Sequence, residues 1–245
     1  MRFLHLSLLL SLLVSGSPAG AVTTAPAATP PQTLSTTSLS PFKARYSSRY
    51  KLGFLSFDID ADRTLQQLAD NSWQLQFSAS ASAASLDEVT HFTLTNGKIQ
   101  PLEYSLKGAG LIQEDDRAFR FDHKAKTVLN SLSSDIFKNQ WHDQIQDRLS
   151  YMLQISLDVA AGKRQLEYPV FEKNKIKMHH YEVVGEETLN TRIGPLRTVK
   201  VRQVRQDKRS ITAWLAIDHQ YVLVKLADKQ NNNTRYAIDL VSLED

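Results

Sequence analysis

Cysteine is absent from all 245 residues. The chain therefore has no disulfide framework, no thiol nucleophile, and no acceptor near its start for lipid attachment of the bacterial lipoprotein kind. Long apolar runs are also scarce. Arg2, the apolar stretch from Leu6 to Val14 and the small residues Ala19-Gly20-Ala21 make the three parts of a cleaved secretory leader. That stretch is too short to span a bilayer, and nothing downstream is longer. The expectation is export to the periplasm, cleavage after Ala21 and no transmembrane anchor afterwards. Charge of one sign is lacking too: the formal net charge of +3 falls to +2 when Arg2 leaves with the leader. So weak a bias on an exported chain gives no reason to expect a nucleic-acid partner.

Residues 22–41 are rich in Thr, Pro, Ala and Ser, with no charge and no periodicity, which predicts a flexible tether. Residues 42–245 remain for one β-rich domain. A chain of that length buries roughly 70% of its unfolded surface, enough to stand without staples.

Period-two alternation dominates from Phe42 to Leu132. In WQLQFSASASAAS, Trp73, Leu75, Phe77, Ala79, Ala81 and Ala83 fall on one face, and Gln74, Gln76, Ser78, Ser80 and Ser82 on the other. The apolar face tapers to alanine, so something must approach it closely. Turn signals recur at Asn96-Gly97, Asp122 to Lys124, Glu172 to Lys175, Gly194-Pro195, Gln206 to Lys208, Asp218-His219 and Asn231 to Asn233. That spacing predicts an antiparallel meander of about a dozen strands, too many to stay flat.

One segment breaks the pattern. Over residues 143–161, Asp143, Asp147, Ser150, Gln154 and Asp158 cover an arc of roughly 80° at 100° per residue. Ile145, Leu149, Met152, Leu153, Ile155, Leu157, Val159 and Ala160 take most of the remainder, Ser156 alone interrupting them, and Gly162 is the expected stop. A helix apolar around most of its girth has to be enclosed. The predicted fold is therefore mainly β, a strongly curled antiparallel half-barrel or barrel-like sheet with one central helix packed in its concave face. The helix is either a fixed plug or a movable lid.

Chemistry-bearing motifs are few. Asp58, Asp60 and Asp62 suggest a calcium loop, but the sixth and twelfth positions hold Arg63 and Ala69 where glycine and glutamate are needed. His179 and His180 point to opposite faces of a strand, and no HExxH occurs, so no metal site is expected. GxSxG, the P-loop and GxGxxG are all missing, and no catalytic residue or cofactor is assigned. Adjacent acids such as Asp115-Asp116 and Glu186-Glu187 read as solvated surface. An enzyme acting on polysaccharide would need carboxylate pairs that sequence cannot show. Lys200 and Arg202 lie opposite Val199 and Val201, the wet side of an amphipathic strand; the other reading of the basic stretch from Arg192 to Arg209 is a surface that binds anions, either lipid head groups or an acidic partner in the envelope.

NGKIQPLEYSL, DRLSYMLQI, ETLNTRIGPLRTVKV and RSITAWLAIDHQYVLVKL, in that order, make the chain resemble the bacterial family domain of unknown function 3108 over most of residues 42–245. The resemblance implies an exported, mainly β protein of Gram-negative bacteria and transfers no functional residue. The predicted role is a binding or carrier module for a lipid or other hydrophobic envelope component. Trp73, Leu75, Phe77, Met152, Leu153, Ile155 and Trp214 are the expected pocket lining. The alternative is a solid-cored structural module that meets another envelope protein.

Overall fold

A computed structural model describes residues 38–52, 55–110, 114–205, 209–230 and 233–245. The leader, the tether as far as residue 37, the turn expected at Gln206 to Lys208 and most of that at Asn231 to Asn233 lie outside the described residues.

Eight strands precede the helix: β1 (Phe42–Leu52), β2 (Leu55–Gln67), β3 (Trp73–Ala81), β4 (Ala84–Thr95), β5 (Lys98–Gly110), β6 (Arg117–Asp122), β7 (Thr127–Asn130) and β8 (Ile136–Phe137). The helix α1 (Ser150–Ala160) follows. Six more strands complete the chain: β9 (Gln165–Glu172), β10 (Lys175–Thr191), β11 (Gly194–Gln203), β12 (Arg209–Ala216), β13 (Val222–Gln230) and β14 (Asn233–Glu244). All fourteen form one antiparallel sheet, ordered β8-β7-β6-β5-β4-β3-β2-β1-β14-β13-β12-β11-β10-β9. Each half is a plain meander, and the halves join where β1 pairs with β14. The sheet is curled but not closed, because β8 and β9 at its ends share no ladder. The accumulated right-handed twist of so many strands brings these ends toward each other.

Side chains complete the seam. The Phe171 ring of β9 meets Phe119 of β6 at 4.9 Å, edge to face, and Phe137 of β8 at 5.6 Å. The outer backbone of β9 is satisfied by one residue ahead of the helix: Gln146 N–H donates to Pro169 O at 2.8 Å and Phe171 N–H to Gln146 O at 2.7 Å. That bridge is parallel, the one departure from antiparallel pairing among the described residues.

Local chemistry explains most element boundaries. Asn96 and Gly97 both take positive φ, 52° and 72°, the conformation that a two-residue hairpin between twisted strands requires. At the end of α1, Gly162 takes φ of 82°, its N–H bonds Val159 O, and Lys163 N–H bonds Asp158 O, closing the last turn as the sequence predicts.

Three expectations are corrected. The helix begins at Ser150 rather than near 143, because residues 145–147 are extended against β9. The β10–β11 turn falls at Arg192-Ile193: Thr191 Oγ1 accepts the Ile193 N–H, while Gly194 and Pro195 already pair with Thr191 and Asn190. Strand β3 ends at Ala81, and Ala83 belongs to the following turn, where Gly110 closes over its backbone.

The helix is enclosed, with Leu153, Ile155, Leu157 and Val159 in the core cluster. No helix of the described residues is long and apolar enough to cross a membrane. Leu153→Asp puts an unpaired charge into that core at a cost of roughly 4 kcal/mol or more, against ~5–15 kcal/mol for a typical domain. No cooperative urea transition is expected for this variant, and a well-folded one would show that α1 is not enclosed. At Gly110, φ is +71° and an added Cβ would lie 2.1 Å from the Ala83 carbonyl oxygen. Gly110→Ala should therefore lower stability by more than about 1 kcal/mol in urea denaturation.

Candidate functional site

The first turn of α1 is organised by Asp147. Its Oδ1 accepts the N–H groups of Leu149 and Ser150, each at 2.8 Å, while Ser150 Oγ accepts the Asp147 N–H at 2.9 Å. This reciprocal arrangement satisfies donors that a helix start leaves open. Asp147 Oδ2 in turn accepts the Thr90 hydroxyl of β4 at 2.6 Å. The polar stripe of the helix continues the attachment rather than facing water. Gln154 accepts the Ile99 N–H at 2.8 Å and donates to Gly97 O at 3.0 Å, and Ser156 donates to Tyr221 O at 2.8 Å. Asp158 receives Lys163 at 2.6 Å, Tyr168 Oη at 3.0 Å and Gln154 Nε2 at 3.1 Å. Gln146 adds a tie from its Nε2 to Ile99 O at 2.9 Å. The segment thus links β4, β5, β9 and the β12–β13 turn across the concavity.

The concave face carries ionic groups beside apolar ones. Register places Ala44, Arg63, Phe77, Glu88, Leu106 and Arg117 in one row across β1 to β6. Arg148, just ahead of the helix, reaches Glu114 at 2.8 Å and Glu88 at 3.7 Å, and Arg117 shares Glu114 at 3.0 Å. Burial works against the Arg148 charge, but Glu88, Tyr104 and Glu114 outweigh it and hold its pKa above the ordinary arginine value. Burial, reinforced by Glu88, drives the Tyr104 phenol well above its usual range. In the other half, Arg209 forms a two-pronged pair with Asp228 at 2.9 and 2.6 Å, both groups largely buried.

The structure brings together most of the expected lining. Trp73, Leu75, Leu153 and Ile155 lie in one core cluster, with Phe77 and Met152 partly buried against it. Trp214 is outside that cluster. It lies between the ammonium groups of Lys200 and Lys225, 5.3 and 6.0 Å from its ring centroid, and donates to Glu187. Arg209, counted in sequence with the basic stretch, is an interior group. Arg202 pairs with Glu182 on the wet face, and Val201 opposite is fully buried. Two concavities of about 250 Å³ open elsewhere, one over β4 to β6 around His91 and Arg120, the other between the β4–β5 turn and residues 143–146. None of the seven expected residues lines either. Sequence reading missed Arg63, Glu88, Asp147 and Arg148. For the two strand residues the signal was available, since Arg63 is in phase with Ala61 and Leu65, and Glu88 with Leu86 and Phe92.

A curled, unclosed sheet wrapped around one helix defines a β-barrel-like protein. The chain belongs to the family described as Protein of unknown function (DUF3108), which matches residues 42–239. No curated protein matches it. Among solved structures it is similar to a β-barrel-like protein of domain of unknown function DUF1849 from Brucella abortus, at 12% identity and TM-score 0.56, over 84% of this chain and 98% of that one. A chain of the Pseudomonas aeruginosa MucA/MucB complex matches at 10% identity and TM-score 0.36, over 83% of this chain and 51% of that one. The present chain thus spans about half the length of that neighbour.

Burial raises the Asp147 carboxyl to about 6 despite its hydrogen bonds from Thr90, Ser150 and Leu149. The folded state then binds the proton more tightly than the unfolded state does, so stability falls as pH rises from about 4 through about 6 and levels off above. Asp147→Asn keeps the Oδ1 acceptor for Leu149 and Ser150, reverses the Thr90 bond so that the amide donates to the hydroxyl, and removes that titration. Relative to the variant, the native chain should lose about 1–3 kcal/mol between pH 4 and pH 7 in urea titrations. Parallel profiles for the two proteins would rule the titration out.

Proposed function

We propose that this chain is an exported, periplasmic binding module that carries a lipid or another hydrophobic component of the Gram-negative envelope. The supporting observation is the way α1 is held. The sheet encloses it, yet its covered surface includes Ser150, Gln154, Ser156 and Asp158, all buried. A permanent plug gains most from apolar side chains. An element that leaves its seat and meets water loses less when part of its covered surface is polar. The sheet is also open between β8 and β9, where no ladder has to be broken for the ends to separate. Leu65, Trp73, Leu75 and Phe92 share one core cluster with the apolar residues of α1, and would give an acyl chain an apolar trough if α1 moved out of that cluster. Curled sheets of this size hold ligands in this manner. The leader pattern supports the location.

A second reading rests on Leu132 and Ile136, 61% and 59% exposed at the β7–β8 edge. Apolar groups on an unpaired edge suit the docking of an envelope protein. Hydrogen exchange separates the two readings. A mobile α1 loses amide protection several kcal/mol below the β4–β5 ladder, and native mass spectrometry of periplasmic protein finds a co-purifying lipid. Equal protection throughout, together with an empty protein, would remove the carrier and leave the docking module.

A further inference from the structure

Four arginines among the described residues are largely withdrawn from water, and their partners differ. Arg117 pairs with Glu114. Arg148 has Glu114 and Glu88, and Arg209 has Asp228. Arg63 has no ion pair among the described residues. It is 4% exposed, and its terminal Nη2 has no hydrogen-bond partner. What surrounds it is neutral. The Phe42 ring lies 5.8 Å from its guanidinium carbon, and Ala44 and Phe77 flank it in register. The Tyr46 hydroxyl beside it already donates to Leu223 O at 2.9 Å, so it offers only lone pairs. Burial lowers the Arg63 pKa and Tyr46 only partly opposes this.

An uncompensated buried cation costs several kcal/mol, and a well-packed apolar residue in its place is often neutral or stabilising. Packing is therefore no reason for arginine here. The planar fork of donors does have a natural complement in a carboxylate or phosphate. On the strand face beyond Arg63 the adjacent row runs Tyr46, Ala61, Ala79, Leu86 and Gly108, and is small on β2 and β3, at Ala61 and Ala79. The alanine taper thus places little bulk next to the unpaired donor.

We infer that Arg63 is the head-group site of the trough, and that the cargo is an anionic amphiphile whose carboxylate or phosphate pairs with this guanidinium while its chain lies on the apolar face. This rests on the carrier reading and narrows it to acidic cargo. Neutral lipids of equal chain length leave Nη2 unpaired and bind more weakly.

The test uses the full chain and displacement of Nile red at pH 7.5 by dodecanoate, dodecyl phosphate, methyl dodecanoate and inorganic phosphate. One or both acidic amphiphiles should displace the dye at about ten- to hundredfold lower concentration than the ester, the range of one charge-assisted hydrogen bond. Their ranking tells carboxylate from phosphate. Arg63→Met should abolish the preference to within twofold, leave the ester unchanged, and raise the thermal midpoint of the ligand-free protein. A structural role predicts a lower midpoint instead. Equal displacement by acids and ester in the native chain would overturn the inference while the carrier stands, and that comparison needs no variant. Failure of every amphiphile to displace or bind would remove the carrier and the inference together. Arg63-dependent binding of inorganic phosphate as tight as that of the amphiphiles would replace the head group by a free anion.

Discussion

A single ladder of fourteen strands leaves two unpaired edges, and the rest of the molecule is arranged around reconciling them. Continuous hydrogen bonding would close the barrel and leave no place for a chain crossing from one end to the other. Here the crossing segment itself does the reconciling. Gln146 gives its backbone to β9 and its side chain to β5. The Phe171 cluster then fills the gap, each aromatic pair contributing about 0.5–1.5 kcal/mol beyond burial. A seam made this way is weaker than a ladder and separates without unzipping one. The helix is in place because the segment that completes the seam leads straight into it.

Interior polarity follows from the same crossing. A helix entering a concavity has to satisfy its opening N–H groups away from water, and Asp147 and Ser150 do so. Its stripe of Ser150, Gln154 and Asp158 meets backbone groups of the β4–β5 turn and the hydroxyl of Tyr168. Apolar packing holds the helix in, while these bonds fix its register. Arg148 and Arg209 are stabilised by buried carboxylates, and Arg63 is the exception that gives the concave face its unspent charge.

Much of the fold was legible because most strands have one wet and one dry face, and the antiparallel order followed from turn chemistry such as Asn96-Gly97. The number of strands was understated, and the helix start was placed too early. Residues 143–149 share the helical period, but Gln146 among them is claimed by the β9 edge, a tertiary demand invisible to local pattern. Trp214 was expected in the trough and lies outside the core cluster; strands β12 and β13 are buried on both sides, and alternation cannot tell which side is inside when neither is wet. Arg63 was read as the residue that spoils a calcium loop. Its phase with Ala61 and Leu65 pointed inward all along, and the absence of a partner became visible only when the facing strands were known.

The pairing of β1 with β14 has a kinetic meaning. The strand farthest along the chain lies in the middle of the sheet, so neither meander gains its central neighbour until residues 233–244 are available. The contacts that unite the two halves join residues far apart in sequence, which makes assembly slow and postpones it until residues 233–244 have been synthesised. A polypeptide with that wiring stays threadable for as long as its last sheet partner, β14, is still to come.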